Sequence, residues 1–211
     1  ADACSTSGGD TATLTGSSTG SGGKMGNGLI LDGTGYALGT LGGIDISGSW
    51  SFETWFNPTD AGTGIILFIG DNDDTRGEDE LLITLNTPGT DNSLVIQYDN
   101  GGAGQKYGSV ALFTDNVWHH LAVTHNGDTI DIYLNGDRIL LITNPQINMD
   151  SNVDGTSPGI YLGGHPQTPF TGMTDFTGTM DDTRFSNYER QAFAGGLMIS
   201  KVEPSTNTIT L

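Results

Sequence analysis

Three of the four histidines lie within seven residues of one another, in the stretch WHHLAVTH (Trp118 to His125). Clustered imidazoles are able to bind a transition metal or to act in acid–base catalysis. In a β-strand, however, the adjacent His119 and His120 point to opposite faces, and His119 and His125 lie roughly 20 Å apart on one face. The spacing therefore favours half-buried or edge strand positions over a shared metal or catalytic site.

A second group of residues that could bind a ligand is the acidic segment GDNDDTRGEDELLI, in which Arg76 is the single basic residue. Like charges 4 Å apart repel by about 1 kcal/mol in water and by up to about 4 kcal/mol near a protein surface, so a cation would stabilise this loop. Ca²⁺ suits it, because Ca²⁺ accepts six to eight oxygen ligands in irregular geometry. The EF-hand pattern is broken by the position of Gly77, and a solvated acidic loop is the alternative. The acids are Asp71, Asp73, Asp74, Glu78, Asp79 and Glu80.

Aromatic residues offer a different chemistry, since sugar rings stack on aromatic faces while their hydroxyls bind carboxylates and amides. Candidates lie at strand ends and in loops, where sandwiches place binding residues. They are Tyr98, Asp99, Asn100, Tyr107 and Phe170. In WSFETWF, Trp50, Phe52 and Phe56 share one strand face while Glu53 and Trp55 share the other, and we expect most of these aromatics in the core.

The elements that would position these residues are short strands. Alternating apolar runs separated by NG, DG, PG and GG turns about every ten residues predict an all-β antiparallel sandwich. One such hairpin joins its two runs through Asn126 to Asp128, and the single helical candidate is Tyr188 to Ala194. We expect one domain over residues 1–211, with 1–22 as a possible first strand plus flexible segment and 196–211 as a C-terminal strand or tail.

The charge limits the choice of partner. A formal net charge of −18 and a pI near 4.1 argue against nucleic acid and against anionic membrane surfaces. No run approaches the roughly 20 apolar residues of a membrane helix. Cys4 is the single cysteine, which excludes an internal disulfide, and no glycosylation sequon occurs. We expect a prokaryotic secreted or cell-surface protein, given as a mature product or an excised module whose native chain continues.

Several segments in order resemble the LamG-like, or concanavalin A-like, jelly-roll family, which includes laminin G modules and pentraxins. They cover residues 23 to 191. The resemblance implies a jelly roll in which the WHH hairpin is structural, and it leaves function open because this fold hosts lectins, adhesion modules, hydrolases and lyases. The segments are GKMGNGLILDGTGYALG, SFETWFNP, NVWHHLAVTHNGDTIDIYLNGDRI, GIYLGG and FTGTMDDTRFSNYERQ.

The resemblance also implies binding residues. RGEDELLI is similar to the pentraxin segment that ligates calcium, which implies Glu78 and Asp79, while the pentraxin partner segment reads HPQTPF here and retains only His165 and Gln167. Similar aspartates in such domains hold a structural calcium, which would correspond to Asp32 in LILDGTG and Asp181 in GTMDDTRF. The alternatives are a turn cap at Asp32 and a strand-end carboxylate at Asp181, with the neighbouring Asp182 exposed.

Together these features predict a non-catalytic, calcium-associated module of a secreted or cell-surface protein that recognises carbohydrate or a surface partner through rim loops. A hydrolase or lyase of the same fold is the enzymatic alternative. Such hydrolases carry alternate acids on one strand face, whereas Glu78, Asp79 and Glu80 are contiguous. A lyase must neutralise the carboxylate of a uronate, and the small number of basic residues in this chain counts against that activity. A structural subunit of a filament or adhesin, assembled through free sheet edges, is the third hypothesis.

Overall fold

The computed structural model describes residues 12–40, 48–59, 64–70, 80–85, 93–99, 105–111, 113–143, 159–165, 174–186, 188–190, 193–194 and 197–198. These residues form sixteen strands: β1 (Thr13–Thr15), β2 (Ser18–Gly23), β3 (Gly26–Asp32), β4 (Tyr36–Thr40), β5 (Trp50–Pro58), β6 (Gly64–Gly70), β7 (Glu80–Leu85), β8 (Ser93–Asp99), β9 (Gln105–Ala111), β10 (His119–His125), β11 (Thr129–Leu134), β12 (Asp137–Thr143), β13 (Gly159–Leu162), β14 (Thr177–Ser186), β15 (Phe193–Ala194) and β16 (Leu197–Met198). Nowhere in the described ranges is there a helix long and apolar enough to cross a membrane.

Two antiparallel seven-stranded sheets pack face to face. Sheet A has the strand order β1-β4-β13-β6-β7-β8-β9, and sheet B has the order β12-β11-β10-β5-β14-β3-β2. β15 and β16 pair with each other in a small third sheet. The predicted all-β antiparallel sandwich is therefore confirmed.

The core lies between the two sheets and follows from the alternation of side chains along each strand. On β5, Trp50, Phe52 and Phe56 are fully buried against apolar residues of sheet A, as the sequence pattern predicts. Each such large apolar side chain stabilises the fold by roughly 1.5–3 kcal/mol. Glu53 and Trp55 alternate with them and lie on the outer face of sheet B.

The predicted hairpin is formed by β10 and β11, which pair from Leu121 opposite Leu134 to His125 opposite Ile130. The next turn, between β11 and β12, contains Asn135 and Gly136 with φ angles of 54° and 91°. Two successive positive φ values define the tight turn that Asn-Gly sequences favour, and this turn matches the twist of the flanking strands.

After β14 the chain crosses the outer face of sheet B. The Ser51 hydroxyl donates to the Tyr188 carbonyl at 2.8 Å and accepts from the Arg190 amide at 2.8 Å. Residues 188–190 contain no helical turn, and Phe193–Ala194 form a strand, so the predicted helix at Tyr188 to Ala194 is wrong. The hydrogen bonds to β5 hold this stretch against the sheet and override the local preference.

Candidate functional site

Asp181 joins two elements of sheet B. On β14 it lies opposite Trp55 of β5, and its carboxylate accepts hydrogen bonds from the Met25 amide at 2.7 Å and the Asp182 amide at 2.8 Å. Met25 belongs to the turn between β2 and β3, so the carboxylate fixes that turn to β14. A bulge follows directly, and Asp182 adopts a positive φ of 45° within it. Asp182 is half-buried rather than exposed as predicted, because the bulge interrupts the alternation of β14.

Asp32 lies elsewhere on the same sheet. Its Oδ1 accepts hydrogen bonds from the Thr34 amide at 3.0 Å and the Thr34 hydroxyl at 2.7 Å, and these bonds lower the pKa of the exposed carboxyl. This geometry is a turn cap. Asp32 pairs with Thr177, four residues from Asp181 along β14, which corresponds to a separation of roughly 13 Å. The structure therefore does not bring the two carboxylates into one site.

The other predicted site residues fall largely outside the described part of the chain. Tyr98 and Asp99 end β8 and Tyr107 lies on β9; Tyr98 pairs with Leu81 and Tyr107 pairs with Ile96, both core residues. Their side chains are not described. The predicted residues beyond the described ranges are Asp71, Asp73, Glu78, Asp79, Asn100, Gln167 and Phe170.

His165, predicted as a ligand-binding residue, is buried. Its ring meets the Phe68 ring edge-on, with centroids 4.2 Å apart, and its amide donates to Asp175 at 3.2 Å. Burial raises the pKa of the half-buried Asp175 carboxyl, which the His165 amide partly offsets. His165 therefore packs against the outer face of sheet A.

The three clustered histidines diverge as predicted. His119 points inward and contacts Phe56, whereas His120 points outward and contacts Trp55. All three histidines are buried rather than half-buried or at an edge, because β10 lies between β5 and β11 inside sheet B. Among the residues that the structure describes, no three His, Cys, Asp or Glu side chains could together hold a metal ion.

A cleft opens between the two sheets where β1 and β2 form their ends. Two rows of paired residues face each other across it, one from each sheet. The row from sheet A is Leu14, Ala37 and Leu162, and the row from sheet B is Thr19, Leu29 and Met180. Because Ala37 is small and β1 and β2 are the last described strands of their sheets at this end, the rows leave a space of about 180 Å³ between the described residues.

The cleft is apolar at its floor and polar at its mouth. Met180 and Ala37 are buried at the floor, while Leu14 is 41% exposed at the rim beside the exposed Ala12, Thr19 and Asn27. Asp181, Asp182 and Thr183 of the β14 bulge form part of the wall. An apolar pocket with a few convergent polar groups is the usual form of a binding site for a small organic ligand.

Outside the cleft, the outer face of sheet B carries a buried charged cluster that sequence reasoning missed. Glu53 is 2% exposed, and its two oxygens lie 2.6 Å from Arg190 and 3.7 Å from His120. Burial alone would lower the pKa of Arg190, but the Tyr188 hydroxyl and the Glu53 carboxylate outweigh it and raise that pKa. A usable signal was present, since Glu53 is the one charged residue in an otherwise uncharged, aromatic-rich strand and such a residue needs a partner when buried.

Trp55 is half-buried beside this cluster. The Lys24 ammonium lies 4.6 Å from the centre of one Trp55 ring, and the His120 ring packs at 5.0 Å. Since Lys24 precedes Met25, the turn that Asp181 holds also covers this tryptophan. The Trp55 ring is thus engaged within the protein, which leaves the cleft as the better-formed candidate site.

Comparisons with solved structures agree with this architecture. Domain 4 of AbnA, a GH43 extracellular arabinanase from Geobacillus stearothermophilus solved with arabinotriose, aligns with a TM-score of 0.65 at 20% identity, over 89% of this chain and 88% of that chain. The Ruminococcus gnavus IT-sialidase CBM40 bound to α2,3-sialyllactose aligns with a TM-score of 0.60 at 14% identity, over 85% and 93%. Domains LG4-5 of the mouse laminin α1 chain align with a TM-score of 0.59 at 18% identity, over 81% and 43%. At such identities these likenesses show the fold alone.

A search of curated proteins gives no match to this sequence. A family model of the laminin G type, described as the concanavalin A-like lectin/glucanases superfamily, matches residues 31–192. This range contains the strands from β4 to β14 and the last two residues of β3, and these strands supply most of both sheets. The resemblance found in the sequence is confirmed, and the chain belongs to the concanavalin A-like lectin/glucanases superfamily.

Proposed function

We propose that this chain is a non-catalytic carbohydrate-binding module of an extracellular protein and that the cleft between the sheets binds one sugar residue. The observation that carries the proposal is the cleft itself, with its apolar floor, its polar mouth and its position at the open end of the sandwich. Its membership of a superfamily of lectins and glucanases supports carbohydrate as the ligand. The AbnA domain and CBM40, both solved with bound sugars, add support.

The chemistry of the cleft suits a sugar. The carbon walls of Leu14, Leu29 and Leu162 match the C–H faces of a pyranose or furanose ring, while the Asn27 amide and the Thr19 hydroxyl provide hydrogen bonds at the mouth. Its volume of about 180 Å³ is below the roughly 300–1,000 Å³ of pockets for drug-sized ligands. The cleft therefore accommodates a single residue, such as the end of a glycan chain.

The hydrogen-bonding side chains at the mouth are Asn27 and Thr19. The Asp181 carboxylate lies on the strand face that carries Trp55, the outer face of sheet B, where it holds the β2–β3 turn. Retaining hydrolysis needs two carboxyls about 5 Å apart at the site. Of the two acids in the cleft wall, Asp181 faces outward and Asp182 lies 3.8 Å from Arg184.

Calcium enters the proposal through the acidic segment around Asp71 to Glu80, on sequence grounds. Its carboxylates would supply the hard oxygen ligands that Ca²⁺ requires. A calcium ion bound by these carboxylates would stabilise the loop by offsetting the repulsion between its like charges.

An extracellular location is part of the same proposal. The structural neighbours include an extracellular arabinanase and laminin domains, which supports this location. A surface partner protein is the second ligand class that such a module could recognise. A structural subunit that assembles through the strand ends is the alternative from the sequence, and a monodisperse monomer at high concentration would count against it.

The test is a broad glycan array probed in calcium and in EDTA with the unmodified chain and two variants. Leu14→Trp places a bulky side chain in the cleft mouth, whereas Thr15→Trp makes the same change at the next residue, which is exposed and does not line the cleft. We expect the unmodified chain and Thr15→Trp to bind the same glycans, and Leu14→Trp to bind them at least tenfold more weakly.

The outcomes separate the parts of the proposal. An array that stays silent with every protein contradicts carbohydrate binding, and equal binding by both variants places the sugar outside the cleft. Binding that persists in EDTA assigns calcium no role in sugar recognition. Release of new reducing ends from a bound glycan would contradict the non-catalytic role.

A further inference from the structure

We infer that the cleft selects a 6-deoxyhexose, a neutral sugar with a methyl group in place of the hydroxymethyl group. It should prefer this sugar to the corresponding hexose and to the corresponding uronic acid. The inference rests on the proposed function, since it specifies the ligand of that same site. Two independent properties support it, namely the negative net charge of the protein that surrounds the cleft and the composition of the cleft floor.

The cleft lies in a strongly acidic protein, and no basic side chain is among the described residues that line it. Of the two acids in its wall, Asp182 lies 3.8 Å from the Arg184 guanidinium, and Asp181 faces the outer side of sheet B, where Lys24 lies over Trp55. The chain as a whole carries 25 acidic and 7 basic residues, so its long-range field also repels anions. A uronic or sialic acid would therefore enter the cleft against repulsion.

The floor of the cleft offers no hydrogen bond from a side chain. It consists of Leu29, Ala37, Leu162 and Met180, whose side chains carry only carbon and, in methionine, a weakly accepting sulfur. A sugar hydroxymethyl group placed there would lose its water without gaining a partner, which is unfavourable. A methyl group in the same place buries only carbon and is favoured.

The mouth of the cleft supplies the opposite chemistry. Asn27 and Thr19 are exposed there and provide an amide and a hydroxyl. A ligand that fits both regions has hydroxyls along one side and an apolar end on the other. A 6-deoxyhexose at the end of a glycan has this distribution.

The experiment compares sugars that differ only at carbon 6. Methyl glycosides of 6-deoxygalactose, galactose and galacturonic acid form one series, and those of 6-deoxyglucose, glucose and glucuronic acid form a second. Each competes against a glycan that the array has shown to bind. We expect the 6-deoxy sugar of at least one series to compete roughly tenfold better than the hydroxymethyl sugar, since one group in an apolar pocket changes affinity by about that factor or more. The uronic acid should compete least.

A variant tests the floor directly. Ala37→Ser places a hydroxyl at the centre of the floor and should reduce or reverse the preference for the methyl sugar. Ala122→Ser makes the same change at an alanine that is equally buried on sheet B away from the cleft, and it should leave the preference unchanged.

The results distinguish the inference from the proposed function. An array without any bound glycan refutes the proposed function and the inference with it. Three outcomes refute the inference alone, provided that the array shows a bound glycan. They are no preference at carbon 6, a preference for the uronic acid, and no competition by any of the six sugars. The inference would also be overturned if Ala37→Ser and Ala122→Ser showed the same preference for the 6-deoxy sugar over the hydroxymethyl sugar.

Discussion

Charged groups are usually exposed and apolar groups usually buried, but each face of sheet B has a region where the opposite holds. On the outer face, Glu53 and Arg190 are charged and buried, at 2% and 8% exposure. On the inner face, at the β2 end, Leu14 of the opposite sheet and Leu29 border an apolar cleft that opens to solvent. The first arrangement places charge inside the protein, and the second places a hydrophobic surface within reach of ligands.

The comparison of the two faces shows that a side chain on this sheet is buried or exposed according to which chain segment covers it, whatever its polarity. Residues 188–190 cover the outer face and bring Arg190 to Glu53. At the inner face β1 and β2 are the outermost described strands of their sheets, and no other described strand covers the last row of core residues. We therefore expect substitutions in the charged cluster to change stability, and substitutions in the cleft to change binding.

The largest effect is expected from Arg190→Met, which removes one partner of the buried ion pair. Glu53 would be left as a buried charge without its closest cation, and such changes typically lower the free energy of unfolding by about 3–5 kcal/mol. The matched control is Arg138→Met, since Arg138 pairs with Asp131 at 3.1 Å but has a side chain 55% exposed. Because solvent screens the largely exposed Arg138 side chain, we expect its loss to cost less than that of Arg190, about 1 kcal/mol.

Urea denaturation followed by tryptophan fluorescence measures both variants. Equal losses of stability would show that the outer face is not buried in solution as the structure has it. Sugar binding by Arg190→Met, measured where the variant is folded, should match that of the unmodified chain, because Arg190 does not line the cleft.

A smaller effect is expected from Ser51→Ala. The Ser51 hydroxyl bonds both the Tyr188 carbonyl and the Arg190 amide, and its removal leaves these backbone groups without that partner. An unsatisfied buried group costs about 1–3 kcal/mol. Ser51→Ala and Arg190→Met should be non-additive in the double variant, because both loosen the same segment. Strict additivity would mean that Ser51 and Arg190 hold different elements.

The sequence predicted the parts of this molecule that depend on local pattern. Alternation along β5 placed Trp50, Phe52 and Phe56 in the core, and the Asn126 to Asp128 link identified the β10–β11 hairpin. These predictions succeeded because a period of two residues already specifies a strand and its buried face.

The candidate site was not predictable in the same way, because its contacts are distant in sequence. Asp181 and Met25 are 156 residues apart, and Glu53 and Arg190 are 137 residues apart. The cleft depends on where two sheets end and on a small residue, Ala37, in the middle of a row. Asp181 was selected by resemblance as a metal ligand, while its position beside a cleft emerged only from the register of β14 with β3 and β5.

A pH dependence follows from His125, a buried residue whose ring contacts Trp50. Burial lowers its pKa below the ordinary value, which the Gly48 carbonyl partly offsets. The unfolded chain therefore takes up a proton at a higher pH than the folded protein. Stability should be fully present above pH 6.5, the unfolded-state value, and should decline as the pH falls towards the lower folded-state pKa.

Thermal unfolding between pH 7.5 and pH 5 tests this dependence against a His125→Gln variant. The variant should be less stable at neutral pH but should show a flatter pH profile, because glutamine does not titrate. A profile equally steep in both proteins would assign the pH dependence to another group. This effect is modest because a single proton is involved.

The smallest effect concerns Asp32, a fully exposed carboxylate that contrasts with the buried Glu53. If Asp32 acts only as a turn cap, Asp32→Asn keeps the oxygen that accepts from the Thr34 amide and hydroxyl, and its unfolding temperature should match that of the unmodified chain. Asp32→Ala, which removes the acceptor, should be slightly less stable than Asp32→Asn. Repeating both melts with calcium and with EDTA separates this role from metal binding. A calcium-dependent rise in unfolding temperature that Asp32→Asn abolishes would make Asp32 a metal ligand, because an amide supplies one neutral oxygen where a carboxylate supplies a charged one.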